Sequence, residues 1–107
     1  MGKIALPIDD NRNVVQITPA VVALAITYDA TISVSTEVTL NAATTLIEVG
    51  AIDKAILLSW GTADASTTNF DEVIPANTVR HFYIPSEITA VNFIEQAATA
   101  ILAVVEK

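Results

Sequence analysis

The 107-residue chain has no cysteine. Neither a disulfide framework nor a thiolate metal site can therefore supplement packing, though this leaves the redox compartment open. Glycine is almost as scarce: three residues, none of them in a Gly-x-Gly-x-x-Gly or P-loop arrangement, leave little backbone for cradling a phosphate. Positive charge is thin as well. Lys3, Arg12, Lys54, Arg80 and Lys107 are the only basic residues and stand far apart, whereas binding a nucleic-acid backbone needs clustered cations. Long apolar runs are missing too. The longest, Ala20 to Ile26, has seven residues, against the roughly 20 that a membrane helix needs. The opening, Met1 to Asp10, is too short in its apolar stretch for a secretory leader, and Leu6 stands where a myristoylation signal would have Ser or Thr. The sequence thus predicts neither a nucleic-acid partner nor a membrane one.

What is present is a β-sheet composition. Thr, Val and Ile supply more than a third of the residues, and these β-branched types fit a pleated surface better than a helix. A chain of this length buries roughly 60–70% of its unfolded surface, enough for one domain with its own core. Only 16% of the residues are charged and 52% are hydrophobic, with a net charge of −7. Typical domains are about 25% charged, so this surface either exposes Thr, Ala and Val or is partly covered by partners.

The pattern along the chain predicts a β-sandwich or a jelly-roll-like small barrel. Thr31 to Leu40 alternates, with Ile32, Val34, Val38 and Leu40 on one parity, and reads as a half-buried strand. Thr44 to Val49 continues after Asn41-Ala42-Ala43, with Gly50 as the expected turn. Lys54 to Trp60 is apolar on both parities and reads as a central strand. Thr62 to Asn69 has no large apolar side chain and reads as a surface loop. Phe70 to Ile74 and Val79 to Ile84 follow as strands, stopped by Pro75 and Pro85. Ala90 to Glu95 and Ala100 to Val105 are expected as a last hairpin closed through Gln96 to Thr99, with a helix over Glu95 to Ala103 as the competing reading. Residues 1–30 differ from the remainder. Pro7, the polar cluster Asp9 to Asn13, the short strand candidate Val14 to Thr18, and Pro19 suit an extended N-terminal arm or the first strands of the sandwich domain over residues 31–107.

Candidate chemistry is sparse. His81 is the only histidine and has no acid near it in sequence; on strand parity it shares a face with Val79 and Tyr83, while Arg80, Phe82 and Ile84 share the other. Ser59, before Trp60-Gly61, lacks the first glycine of a nucleophile elbow. Asp64, Asn69, Asp71 and Glu72 gather oxygens around one loop and are the best calcium candidates, though their spacing is not that of an EF-hand; the Asp9-Asp10 pair is a weaker one. Trp60, with Tyr28, Phe70, Phe82, Tyr83 and Phe93, completes the aromatic set; most of these rings lie in strand patterns and are expected in the core, with Tyr83 the best candidate for exposure. No catalytic, cofactor or metal site is predicted.

The order from Lys54 onward is an apolar strand ending in Trp60-Gly61, a Thr/Ser-rich loop, Ile74-Pro75-Ala76, Phe82-Tyr83-Ile84-Pro85 and Ala90-Val91-Asn92-Phe93-Ile94 before a terminal strand. Together with the opening Ile4 to Asp9 and Val14-Val15-Gln16, it resembles small virion proteins of tailed bacteriophages, of the capsid cement or decoration type. The resemblance is one of texture and order and contains no ligand or catalytic motif. It implies a β-sandwich or jelly roll made in the host cytoplasm and bound to the outer surface of the capsid. It further implies the major capsid protein or other virion proteins as partners, and a homo-oligomer, often a trimer. A glycan-binding β-sandwich module and a neck or tail virion protein are the alternatives left open.

Overall fold

The computed structural model describes residues 21–107, and its β-branched stretches form eight strands with no helix among the described residues. They are β1 (Ala25–Asp29), β2 (Thr36–Thr39), β3 (Leu46–Ile52), β4 (Ile56–Trp60), β5 (Glu72–Ile74), β6 (Thr78–Tyr83), β7 (Ala90–Glu95) and β8 (Ile101–Glu106). Sheet I has the order β1-β8-β3-β6 and sheet II the order β2-β7-β4-β5, with antiparallel neighbours throughout. Only β4 and β5 are consecutive within one sheet; every other consecutive pair crosses from one sheet to the other. Two four-stranded antiparallel sheets connected in this order form a β-sandwich with jelly-roll topology. The expected fold class is therefore the one found.

The core lies between the sheets. Sheet I supplies Ile47, Val49, Leu102 and Val104, and sheet II supplies Ile56, Leu58, Ile74, Val91 and Phe93, all essentially sealed from solvent. Strand β4 sits between β7 and β5, as its continuous apolar run predicts. Strand β6 keeps its predicted parity: Phe82 packs against the core and meets Trp60 edge-on at 5.1 Å between ring centroids, while His81 and Tyr83 point away.

Three expectations are corrected. Thr31 to Leu40 is not one strand: β2 is confined to Thr36–Thr39, and although Ile32, Val38 and Leu40 are buried, Val34 is 70% exposed. The chain bends at Ser33-Val34, and the Ser35 hydroxyl is drawn off to donate to Asn92 Oδ1 (3.1 Å) while accepting from the Ala65 N–H (2.9 Å). Gly50 is not a turn. It lies within β3, paired with Val79 on one side and Ala103 on the other, and the chain turns instead at Asp53 (φ 73°), whose N–H is held by Asn77 Oδ1 at 3.0 Å. Nor are β7 and β8 a hairpin or a helix. Without Gly or Asn for a tight primed turn, Gln96 to Ala100 instead carries the chain across to the other sheet, tied by Gln96 N–H to Ala55 O and Ala100 N–H to the Glu95 carboxylate. Of the 1–30 segment, Ala25–Asp29 forms β1 beside β8. Pro7, the Asp9 to Asn13 cluster, Val14 to Thr18 and Pro19 lie outside the described residues.

Phe93 is the largest fully buried side chain. Phe93→Ala should lower the unfolding free energy by about 3–5 kcal/mol, read as a shift in urea midpoint. Val34→Ser, at a solvent-facing bend, should change it by less than about 0.5 kcal/mol.

Candidate interaction face

Because side chains alternate across a strand, the residues opposite the core residues of sheet I form its outer face. The register sets them in rows: Leu24 beside Lys107, Leu46 and Tyr83; Ile26 beside Val105, Glu48 and His81; Tyr28 beside Ala103, Gly50 and Val79; Ile101 beside Ile52. Most of these side chains are apolar. Ile26, Tyr28, Val79 and Tyr83 on the two edge strands are largely exposed, and Leu24 and Ile52 are exposed as well. Strand β8 shows how the sequence builds this: Ile101-Leu102-Ala103-Val104-Val105 is apolar on both parities, one facing the core and the other facing outward.

The charges on this face compensate one another. Lys107 Nζ donates to Glu48 Oε1 at 2.9 Å, and His81 Nε2 lies 3.5 Å from the same oxygen. The Lys107 hydrogen bond, with further attraction from Lys107 and His81, holds the Glu48 carboxyl below its ordinary 4.5 against an opposing effect of burial.

Sheet II is different outside. Leu57, Ser59, Ala90 and Asn92 have the outward parity yet are buried, and the segment after β4 is tied to this side. Asn92 Nδ2 donates to Gly61 O at 3.0 Å and its Oδ1 accepts from Ser35, which in turn holds the buried Ala65. The Thr62 to Asn69 loop is the surface loop expected, with Ala65 alone buried where it is tied to Ser35.

The residues singled out by sequence are not brought together. Ser59 lies on the outward side of sheet II and His81 on the outward side of sheet I, with the core between them, so they cannot form a nucleophile–base pair. Around the loop, Asn69 Nδ2 donates to Asp64 O, Asp71 Oδ2 accepts the Trp60 N–H, and Glu72 faces Arg80 at 3.4 Å. Among the described residues no group of three or more His, Asp or Glu is arranged to hold a metal ion. Asp9 and Asp10 lie outside those residues. Trp60 and Tyr83, with Pro85 and Ile88, line an open apolar cleft of about 320 Å³ at the β6 end of the sandwich. Tyr83 is exposed as expected, but Tyr28 and Phe70 are exposed as well, so half of the six rings lie outside the core.

No family model, curated protein or solved structure matches the chain. Its outer sheet face is therefore interpreted on its own geometry. Strand alternation put Val79, His81 and Tyr83 on one side of β6 but did not single out this face. The available signal was β8, whose unbroken apolar run has the same character as the central strand β4 but belongs to a sheet with none of the described segments over its outer side.

Glu48 yields a pH test. Its folded pKa is lowered, so the stabilisation is fully present above its unfolded value near 4.5 and is lost as pH falls through the lower folded value. Urea midpoints of wild type and Glu48→Gln should differ at pH 7 and converge toward pH 3. A pH-independent gap would assign the effect to packing instead of charge.

Proposed function

We propose that this protein is a structural virion component of the capsid cement or decoration type, acting by protein–protein contact and without catalysis. The observation that carries the reading is the outer face of sheet I, an exposed sheet surface built of Leu24, Ile26, Tyr28, Val79, Tyr83 and their β3 and β8 neighbours. Contiguous apolar surface of this kind marks contact sites in proteins that must stay soluble. The jelly-roll topology agrees with it, since viral capsid domains use this architecture; lectins and cupins use it too, and fold alone does not choose among them.

Two further features favour assembly. Core aliphatics from both sheets pack against one another between the sheets. Among the described residues the cleft at Trp60 and Tyr83 offers an indole N–H and a phenol as its only side-chain polar groups, few for the many hydroxyls of a sugar, and a glycan module is the less supported reading. The net charge of −7 suits a position on the capsid exterior, turned away from packaged nucleic acid and against the major capsid protein or another virion protein.

Gold-labelled antibody to this protein, applied to gradient-purified phage particles from cells whose genome encodes it, should decorate the heads in a regular pattern. Label confined to necks or tails would move the protein along the virion. Its absence from particles would overturn the proposal.

A further inference from the structure

We infer that the outer face of sheet I is the contact between two copies of this chain, packed sheet to sheet about a two-fold axis. The inference deepens the reading above by naming what covers the face, and rests on it only in taking that face as a contact.

Charge selects the occupant. At −7, two copies repel one another over most of their surfaces. Glu37 lies on the outward parity of sheet II, Asp53 at the β3–β4 turn, Asp64 and Asp71 in the β4–β5 segment, and Glu72 against Arg80. Among the described residues the outer face of sheet I carries one acid, Glu48, already satisfied by Lys107 and His81 of its own chain. Two such faces can meet without opposing like charges and without enclosing an unpaired ion, the condition that makes burial of a charge pair tolerable. A differently charged partner would gain most by meeting the acid-bearing remainder. A neutral, self-compensated face suits a partner of the same sign, and another copy is always at hand.

Size and composition set the strength. Four strands about 4.8 Å apart, each with about six residues at 3.4 Å, span roughly 20 × 20 Å. That puts the contact in the small, reversible class of interfaces. Tyr28 and Tyr83 at its edges are of the aromatic type that interfaces favour. A face meeting its own copy is isologous and closes as a dimer, the building unit from which any larger ring would be made.

Sedimentation equilibrium of the full chain from about 5 to 500 µM should show a monomer–dimer equilibrium with a Kd in the micromolar range. Tyr28→Lys and Val79→Lys, both at exposed positions, should each weaken it at least tenfold with unchanged far-UV circular dichroism. Val34→Lys, exposed but away from this face, should leave it intact. In the wild type, which needs no substitution, hydroxyl-radical labelling of Tyr28 and Tyr83 should fall as concentration rises. A wild type monomeric throughout overturns the inference, whether the face is then covered by another protein or by residues 1–20. So does a dimer that survives both lysine variants, or equal weakening by Val34→Lys. Failure of the virion reading is seen separately, as absence of the protein from purified particles.

Discussion

The inner faces of the two sheets exclude water only by lying against each other, and the rest of the molecule is arranged around that contact. Phe93, Leu58 and Ile56 from sheet II meet Ile47, Val49, Leu102 and Val104 from sheet I in a layer without a charged side chain at its centre. With no disulfide to help, burial of this layer is the main favourable term in folding. Polar ties close its margins. Arg80 reaches from sheet I to the Val73 carbonyl and Glu72 carboxylate of sheet II while lying over the Phe82 ring. Glu106, nearly wholly buried, accepts from the Asn41 N–H at 2.7 Å and the Thr44 hydroxyl at 2.8 Å, fastening the β2–β3 crossover to the last strand. A buried carboxylate is tolerated where such donors replace water, and no buried side-chain polar atom among the described residues lacks a partner.

The two outer faces then part company. On sheet II, Asn92 and Ser35 gather the Gly61 carbonyl and the Ala65 N–H, so a loop with no large apolar residue is still fastened to the strands beside it. On sheet I no described segment does the same, and β8 presents Ile101, Ala103 and Val105 outward beside the exposed residues of β1 and β6. Strands that are apolar on both parities are usually covered on both sides. Among the described residues, sheet I thus keeps an apolar outer side that sheet II does not.

Several elements were legible in advance because one local signal governs them. The continuous run Ile56–Trp60 occupies the central position that such a run predicts. Prolines 75 and 85 follow directly or closely on the ends of β5 and β6, and His81 and Phe82 lie on the opposite faces that strand alternation assigns them. Others were not, because distant atoms decide them. Val34 has the right parity and spacing for the core but bends outward where Ser35 is claimed by Asn92, 57 positions along the chain. Gly50 carries a turn-forming residue's identity, yet pairing with Val79 and Ala103 on either side holds it extended.

The sequence by itself determined the class of structure. Its β-branched content and period-two patterns specify strands, and single, scattered basic residues, a lone histidine and three glycines leave little from which to assemble the familiar catalytic or phosphate-binding motifs. Only the tertiary structure decided which strands share a sheet. Alternation reports that one side of a strand is apolar but says nothing of its neighbour, so Ala90–Glu95 and Ile101–Glu106, adjacent in sequence and similar in pattern, could not be assigned to opposite sheets before the crossovers were seen. The same choice brought Ile26, Tyr28, Val79 and Tyr83 from opposite ends of the chain onto one surface, because sheet order, set by long-range pairing, determines which outward residues become neighbours.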